Sequence, residues 1–193
     1  MRRSNKERSD SMRMALIEAA RELFVEKGYA ETATPEIVAA AGVTRGALYH
    51  HFEDKKALFR AVIEHEAGKV AEEIEAASPT GDGTARETLA LGTGAYFDAM
   101  TERGRTRLLL LDGPAVLGAE MIRMIDAAHA GESLMAGLSG LFVASEKMPD
   151  RLDILADLLS AAFDRAALAI EAGGSRKDYE KAIFALIDGL AVR

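Results

Sequence analysis

The stretch TPEIVAAAGVTRGALYHHF, which begins at Thr34, constrains the fold of this chain more than any other segment. Thr34 can cap the N-terminus of a short helix, and Pro35 suits its first position because no amide hydrogen is needed there. Gly42 can adopt the left-handed backbone that ends a helix, and Thr44 can cap a second helix over residues 45–51. The segment therefore predicts a helix-turn-helix, an arrangement that delivers its second helix into the major groove of DNA.

The composition narrows the class of protein. Of the 193 residues, 49% are hydrophobic, which suits one large or two small packed domains and is too high for a disordered chain. The absence of cysteine excludes disulfides, thiol catalysis and cysteine-based zinc sites. No apolar run approaches the ~18–20 residues of a membrane span, and no apolar stretch of signal-peptide type follows the charged N-terminus. We expect a cytoplasmic protein with no membrane partner.

Charge is divided unevenly along the chain. The net charge is −7, which taken alone argues against DNA binding. Residues 1–64 nevertheless carry 11 Lys/Arg against 10 Asp/Glu, so the acidic excess lies in the remainder. Exposed charges more than ~10 Å apart are largely screened at ~0.1 M salt, so a distant acidic region does not cancel a local basic one. The division predicts a nucleic-acid-binding end joined to an acidic body.

Helical spacing of apolar residues recurs throughout and strand patterns are nearly absent, which predicts an all-α fold of about nine helices. Three helices are expected in an N-terminal DNA-binding domain at 1–54, with the helix-turn-helix at about 34–51. A continuous connecting helix is expected over 55–77. The breaker cluster SPTGDG then opens a helical C-terminal domain at 78–193.

The N-terminal motif is similar to that of the TetR family of one-component transcriptional regulators, over roughly residues 9–65. The positions at family spacing are Phe24, Gly28, Tyr29, Thr34, Ile37, Ala40 to Val43, Thr44, Gly46, Leu48, Tyr49, Phe52, Lys55, Leu58 and Phe59. The segment LLLDGPAVLG, at 109–118, looks like a stretch found in some members. The resemblance implies an all-helical homodimer, a ligand pocket in the C-terminal domain and, usually, repression. The implied partners are a palindromic double-stranded DNA operator, a second copy of the chain and an unknown small-molecule effector.

The predicted DNA-binding residues lie at the two helix starts and along the second helix. Arg45 offers a planar fork of donors suited to guanine or phosphate, and Gly46 lets the backbone approach DNA closely. Tyr49, one turn further on, can reach a phosphate or a thymine methyl group. Lys55 opposes the dipole of the next helix at a cost of roughly 0.3–1 kcal/mol, which a docked phosphate would offset. The full predicted set is Thr34, Thr44, Arg45, Gly46, Tyr49, His50 and Lys55.

Simpler interpretations of these residues stay open. The pattern alone also describes a plain corner between two packed helices. Leu48 and Phe52 are expected in the core, and Lys56 and Arg60 fit a solvated face as well as phosphate contacts. The two adjacent histidines of the second helix point about 100° apart, so they do not chelate together readily. We predict neither a metal site nor a cofactor.

A ligand pocket is predicted from flexible apolar side chains in the C-terminal domain. Methionine suits adaptable apolar cavities, although ordinary core packing explains the same residues equally well. Asp112 and His129 could orient a ligand; alternatively, Asp112 is a helix cap in an Asp-Gly-Pro break and His129 is an ordinary interior or surface histidine. The expected ligand is a small apolar or aromatic molecule. The candidate lining is Phe97, Met100, Leu110, Asp112, Met121, Met124, His129, Met135, Leu138 and Phe142.

The last two helices are apolar over more than one stripe, and so wide an apolar face normally needs two partners. One partner is the chain's own core, and the second is expected to be the same helix pair of another copy, related by two-fold symmetry. A simple buried core is the alternative. Dimerisation would set two reading helices about 34–36 Å apart on a palindromic operator. The candidate interface residues are Leu152, Leu155, Leu159, Phe163, Ala166, Ile170, Tyr179, Ile183, Leu186 and Leu190.

Two other classes compete with a regulator. An enzyme is disfavoured because no complete phosphate-binding Gly-rich loop, paired carboxylates or nucleophile–base set can be placed. A helical small-molecule or protein-binding module without sequence-specific DNA binding is the second alternative. The sequence favours a ligand-responsive repressor that is not an enzyme. In the simplest mechanism its ligand moves the connecting helix at 55–77 and displaces the two reading helices.

Overall fold

The computed structural model describes residues 5–77, 84–144 and 150–191, and every regular element within these ranges is a helix. The all-α fold expected from the apolar spacing is therefore confirmed. None of the helices in these ranges is both long and apolar enough to span a membrane. In chain order the helices are α1 (Asn5–Glu31), α2 (Thr34–Ala40), α3 (Arg45–His51), α4 (Lys55–Ala77), α5 (Ala85–Ala99), α6 (Arg105–Arg107), a π-helical segment (Leu108–Asp112), α7 (Gly113–Leu117), α8 (Ala119–Ala127), α9 (Ala130–Ala144), α10 (Leu152–Glu171) and α11 (Arg176–Ala191).

The chain divides into two compact units. The first unit comprises residues 1–66 and 107–122, and the second comprises 67–106 and 123–193. The divisions fall inside α4, α6 and α8. The predicted limits at 1–54, 55–77 and 78–193 were drawn by function and not by compactness. They stay a prediction.

In the first unit, α1, α2, α3 and the first part of α4 share one apolar core. Phe24, Tyr29 and Phe59 form an aromatic cluster with ring centroids 5.0–5.8 Å apart. Arg21 pairs with the fully buried Glu66 at 3.0 Å between Nε and Oε1, a geometry that fixes how α1 and α4 meet. The fully or almost fully buried apolar side chains of this unit include Leu16, Ile17, Ala20, Phe24, Ile37, Leu48, Leu58, Phe59, Val62 and Ile63.

Gly28 could take the left-handed backbone that ends a helix, but it kinks α1 instead of ending it. The helix continues to Glu31 with a kink at Gly28, whose φ of 82° lies in the left-handed region. Thr32 Oγ1 donates to Gly28 O at 2.8 Å and to Leu23 O at 3.2 Å. A kink can replace a complete stop because this hydroxyl satisfies carbonyl groups that the distorted turn leaves without amide partners.

In the second unit, α5 packs against α9, α9 against α10, α10 against α11, and α11 returns to α5. Gly137 of α9 allows a close approach, since a Cβ atom there would lie 2.5 Å from Leu89 Cδ2 of α5. Arg86 pairs with Asp188 at 2.6 Å between Nη2 and Oδ2, joining α5 to α11. α5, α9 and α10 also contribute most of the lining of the cavity described below, which includes one residue each from α4 and α8.

Several short helical segments follow one another between residues 100 and 127. α5 ends at Ala99, and Arg105 Nη1 donates to Ala99 O at 2.7 Å and holds a tight turn there. The apolar segment at 108–111 forms a π-helical turn, in which Gly113 N donates to Leu108 O and Pro114 has no amide hydrogen to offer. These short segments raise the number of helices above nine. The breaker clusters at 78–83 and 148–149 lie outside the described residues.

Candidate nucleic-acid interface and effector cavity

Local hydrogen bonds form the predicted helix-turn-helix. Thr44 Oγ1 accepts from Ala47 N at 3.2 Å, so the predicted cap of α3 is confirmed. The predicted cap of α2 is wrong by one residue, since Ala33 is the capping position and Thr34 and Pro35 fill the first two helical positions. The cause is Glu36, whose carboxylate accepts from Ala33 N at 3.0 Å and from Lys27 Nζ at 2.5 Å. That carboxylate satisfies the amide of the capping residue, as the N3 glutamate does in a capping box.

An exposed polar surface follows from this geometry. Thr44, Arg45, Gly46, Tyr49 and His50 are all exposed, whereas Leu48 and Phe52 are buried as predicted. α3 thus turns one side to the core and the other to solvent. The five exposed residues are those predicted to contact DNA on this helix, and their contact with DNA stays a prediction.

Three of the predicted residues lie together at the centre of this surface. Arg45 Cζ lies 5.5 Å from the centroid of the Tyr49 ring, close enough for a cation–π contact. Hydrogen bonding with Thr34, and secondly with Arg45, lowers the pKa of the Tyr49 hydroxyl. The half-buried Thr34, at the start of α2, is therefore joined to the two exposed residues of α3. We call Thr34, Arg45 and Tyr49 the reading cluster.

Lys55 lies in a different environment from the one expected. Its Nζ donates to Tyr29 O at 2.9 Å and Thr32 O at 3.0 Å, and it lies 4.4 Å from the centroid of the Tyr29 ring. These carbonyl groups at the end of α1 offset the cost of a lysine at the start of α4. The electrostatic reason for expecting a phosphate at Lys55 therefore loses its force, and the phosphate contact stays a prediction.

The second unit contains a cavity between α5, α9 and α10, with Ile74 of α4 at its edge. Its empty space is about 610 Å³, counting the open mouth. Its polar groups include Asp126, whose Oδ2 accepts from Ser160 Oγ at 2.8 Å, and Tyr96, whose hydroxyl donates to Asp164 Oδ1 at 2.8 Å. The lining consists of Ile74, Thr88, Leu89, Gly92, Thr93, Tyr96, Asp126, Ser133, Leu134, Gly137, Ser160 and Phe163.

Burial dominates the electrostatics of this cavity. Desolvation raises the pKa of Asp126, and it raises the pKa of Asp164 to about 6, with the charge of Asp126 contributing. The same burial, followed by the charge of Asp164, raises the pKa of Tyr96 well above its ordinary value. Two carboxyl groups thus lie where their ionised forms are costly.

The predicted pocket residues do not line this cavity. Phe97 and Met100 line a second cavity with Ala167 and Ile170. Leu110, Asp112 and Met121 belong to the first unit, and Asp112 pairs with Arg107 at 3.3 Å between Oδ2 and Nε. The side chain of Asp112 makes no cap hydrogen bond either. The remaining candidates are dispersed: Leu138 and Phe142 are core residues, His129 and Met135 are half-buried, and Met124 is exposed.

The predicted interface residues also separate by burial. Among the buried ones are Phe163 and Ile183, which face the chain's own interior, while Leu186 is 54% exposed. The structure adds Ile154 and Leu158, which are 43% and 63% exposed one helical turn apart on α10. The other buried candidates are Leu159 and Ala166; Leu152, Leu155, Ile170 and Tyr179 are half-buried; and the side chain of Leu190 lies outside the described part.

The sequence analysis missed Tyr96, Asp126, Ser160 and Asp164 as site residues. The available signal was the occurrence of Asp126 and Asp164 within otherwise apolar helical stretches, where an aspartate is costly unless it has a role. Periodicity could not show that the two residues approach the same interior, because they lie on helices far apart in sequence.

Two family models match the chain, one in its N-terminal part and one in its C-terminal part. Residues 16–62 match the family described as "Bacterial regulatory proteins, tetR family", and residues 86–192 match "Tetracyclin repressor-like, C-terminal domain". The HTH-type transcriptional repressor BepR of Brucella suis biovar 1 (strain 1330) is 44% identical over 63 residues, which is 33% of this chain and 30% of BepR. The Transposon Tn10 TetC protein of Escherichia coli is 27% identical over 155 residues, covering 80% of this chain and 77% of TetC.

A solved structure supports the same relationship over nearly the full length. The crystal structure of a TetR-family transcriptional regulator from Pectobacterium atrosepticum has a TM-score of 0.70 and 31% identity. The match covers 97% of this chain and 95% of that protein. The match to BepR, by contrast, spans less than a third of that repressor. The second family match covers more than half of the residues, and the chain therefore belongs to the TetR family of bacterial regulatory proteins.

Proposed function

We propose that this protein is a ligand-responsive transcriptional repressor that binds a palindromic DNA operator as a homodimer. The observation that carries the proposal is the reading cluster, in which Arg45 and Tyr49 are exposed on α3 and joined to the start of α2 above a tightly packed core. A plain helical corner has no need of an exposed arginine stacked on an exposed tyrosine. Such a protein acts in the cytoplasm, where bacterial DNA lies.

The reading cluster can act on DNA in two ways. Arg45 presents a bidentate donor set to guanine O6 and N7, and the neighbouring Tyr49 ring holds the guanidinium group in place. Tyr49, Thr34 and Thr44 carry hydroxyl groups that suit phosphate oxygens. Gly46 leaves open space, since its added Cβ would meet only Thr44 Oγ1, at 3.8 Å. The cluster therefore combines one group for base reading with several for positioning.

The operator can be found by selecting bound DNA from a random-sequence pool and sequencing it. We expect an inverted repeat to be enriched, because two copies present two α3 helices. Arg45→Ala should cost about 1–3 kcal/mol of binding free energy and relax preference at one base of each half-site. Lys56→Ala, which removes an exposed positive charge in the first turn of α4, is the control and should leave base preference unchanged.

If no sequence is enriched in the recovered DNA, the alternative is favoured, a helical binding module without sequence-specific DNA binding. An unchanged base preference in Arg45→Ala would instead assign that residue to phosphate contact alone. The two outcomes are distinct, because only the first removes the regulator from consideration.

The dimer proposal rests on the exposed apolar side chains of the last two helices. Ile154 and Leu158 of α10 and Leu186 of α11 each present a large apolar surface to solvent in the single chain. Leu158→Glu should shift the protein from dimer to monomer at micromolar concentration, measured by sedimentation equilibrium. Leu91→Glu is the matched control, since Leu91 is 48% exposed on α5 and outside the proposed interface. A monomeric wild-type protein would remove the two-fold operator model.

The effector is proposed to bind in the cavity between α5, α9 and α10. Its apolar lining and a small number of polar groups are typical of small-molecule sites. A ligand bound there would release the operator if it binds the DNA-binding conformation more weakly than another conformation of the protein. An effector that binds this cavity and leaves operator affinity unchanged would contradict that regulation.

A further inference from the structure

The cavity between α5, α9 and α10 has an unbalanced negative charge. Asp126 lines it, and Asp164 lies behind the Tyr96 side chain, to which it is hydrogen-bonded. Within the described residues, neither carboxylate pairs with a lysine or an arginine, and each has one hydroxyl donor instead. A hydroxyl group satisfies one lone pair but supplies no positive charge to a buried carboxylate.

The neighbouring titratable groups do not supply that charge either. Asp157 and Asp164 add negative potential around Asp126, and His129 is the one nearby group that acts in the opposite sense. Among the residues that the structure describes, this part of the second unit therefore combines two half-buried carboxyl groups with no lysine or arginine partner.

The rest of the lining suits a flat or compact apolar group. Tyr96 and Phe163 lie with ring centroids 5.5 Å apart at an interplanar angle of 71°, and both line the cavity. The negative faces of aromatic rings attract cations, so these rings favour the same sign of charge as the carboxylates. Leu89, Leu134 and Ile74 supply apolar walls. Charge and shape together specify a ligand with an apolar body and one cationic centre.

We propose that the effector of this protein is a small organic cation, an aromatic or aliphatic amine or quaternary ammonium compound, whose charge is bound by Asp126. The inference deepens the proposed function and rests on the use of this cavity as the effector site. Ser160 acts as a positioning residue, because its hydroxyl holds one oxygen of Asp126 and leaves the other for the ligand. Anionic ligands are disfavoured by the same two carboxylates.

The test is calorimetric titration of the full chain with two probes of equal size, 2-phenylethylammonium and 2-phenylethanol. At pH 7.5 the ammonium probe should bind about tenfold or more tightly than the alcohol, as expected for a charge-assisted hydrogen bond. Asp126→Asn should abolish this preference while changing the affinity for the alcohol by less than about twofold. Asp153→Asn, which removes an exposed carboxylate from the same unit, should leave the affinities of both probes unchanged.

A second measurement needs no variant. The ammonium probe stays charged between pH 5 and pH 7.5, so its affinity should rise with pH over this range as Asp126 and Asp164 ionise, whereas that of the alcohol should not. Equal affinities for the two probes, or a preference that survives Asp126→Asn, would overturn the inference. Neither result would touch the proposed DNA function, which the operator selection tests separately.

Discussion

The two candidate sites place their polar groups in opposite ways. In the first unit, Arg45 and Tyr49 are exposed above a core whose buried charged residues, Arg21 and Glu66, are paired with each other. In the second unit, Asp126 and Asp164 are turned inward around a cavity, and the exposed positions of α10 include Ile154 and Leu158. The first arrangement suits a large, highly charged partner that is met at the surface. The second suits a small ligand that is taken out of water.

The two sites also differ in how their polar groups affect the stability of the folded protein. Exposed polar groups are hydrated before a partner arrives, so the reading cluster adds little strain to the first unit. Buried carboxyl groups lose hydration on folding, and the raised pKa of Asp164 reports that loss. A cavity of this kind is stabilised when a ligand replaces the missing interactions. Folding and binding are therefore expected to be largely independent in the first unit and linked in the second.

The largest expected effect tests the independence of core and surface in the first unit. Phe59→Ala removes a fully buried ring that contacts Phe24 and Tyr29, and should lower the free energy of unfolding by about 3–5 kcal/mol. Tyr49→Ala removes a ring that is 45% exposed and should change it by less than about 0.5 kcal/mol while weakening operator binding. Urea unfolding and fluorescence anisotropy measure the two quantities. Similar destabilisation by both variants would show that the surface and the core are not separable.

The same separation explains which parts could be predicted from the sequence. The reading helix is encoded within a few residues: Thr44 caps it, Leu48 fixes its buried side, and both expectations are confirmed. The predicted cap of α2 at Thr34 was wrong because the Glu36 carboxylate accepts from Ala33 N and makes Ala33 the capping position. Lys27, nine residues away, also donates to this carboxylate. Even that error shifted the boundary by one residue only, since the helical turn itself is specified locally.

The cavity could not be predicted in this way, because its lining comes from five helices between residues 74 and 163. Apolar periodicity shows that a helix has a buried side and not which residues on that side leave a gap. The methionines chosen for their flexibility illustrate the limit, since Met124 is exposed and Met121 belongs to the first unit. The informative residues were polar ones in apolar helices, which a search for apolar lining passes over.

A smaller effect, on the order of 2 kcal/mol, is expected from the buried carboxyl group of Asp164. Its folded pKa of about 6 exceeds the unfolded value of about 3.9, so the folded state holds the proton more tightly. Stability therefore falls as the pH rises from about 4 to about 6, and the loss is complete above that window. The Asp164→Asn variant should not show this loss. Its free energy of unfolding, relative to that of the wild type, should therefore increase across the same pH range.

The control for this pH effect has the opposite sign. The pKa of the exposed Asp153 is lowered by its pairing with Arg151, so ionisation of Asp153 favours the folded state. Asp153→Asn should therefore gain nothing, relative to the wild type, as the pH rises. Thermal or urea unfolding at pH 4, 5, 6 and 7 distinguishes the two variants. A flat difference between Asp164→Asn and the wild type would show that Asp164 titrates normally, and would weaken the link between folding and binding in the second unit.

The smallest expected effect concerns Lys55, a half-buried residue that contacts the fold and is also predicted to contact DNA. Its ammonium group donates to Tyr29 O and Thr32 O, so Lys55→Met should lower the free energy of unfolding by about 1–2 kcal/mol. Lys56→Met, the exposed neighbour, should change it by less than about 0.5 kcal/mol. If Lys55 also contacts a phosphate, the salt dependence of operator binding in Lys55→Met falls by about one unit.

The free energy of unfolding and the salt dependence of operator binding together show whether Lys55 stabilises the fold, contacts DNA or does both. A stability loss with an unchanged salt slope would make it a cap of α1 and remove it from the interface. A changed slope without a stability loss would assign Lys55 to the interface alone, because the carbonyl contacts would then contribute little to folding. If both change, Lys55 couples the end of α1 to the operator, because the same carbonyl groups that hold the ammonium group would also set its position against DNA. The first unit would then contain one residue for which folding and binding are linked, as proposed for the carboxyl groups of the second.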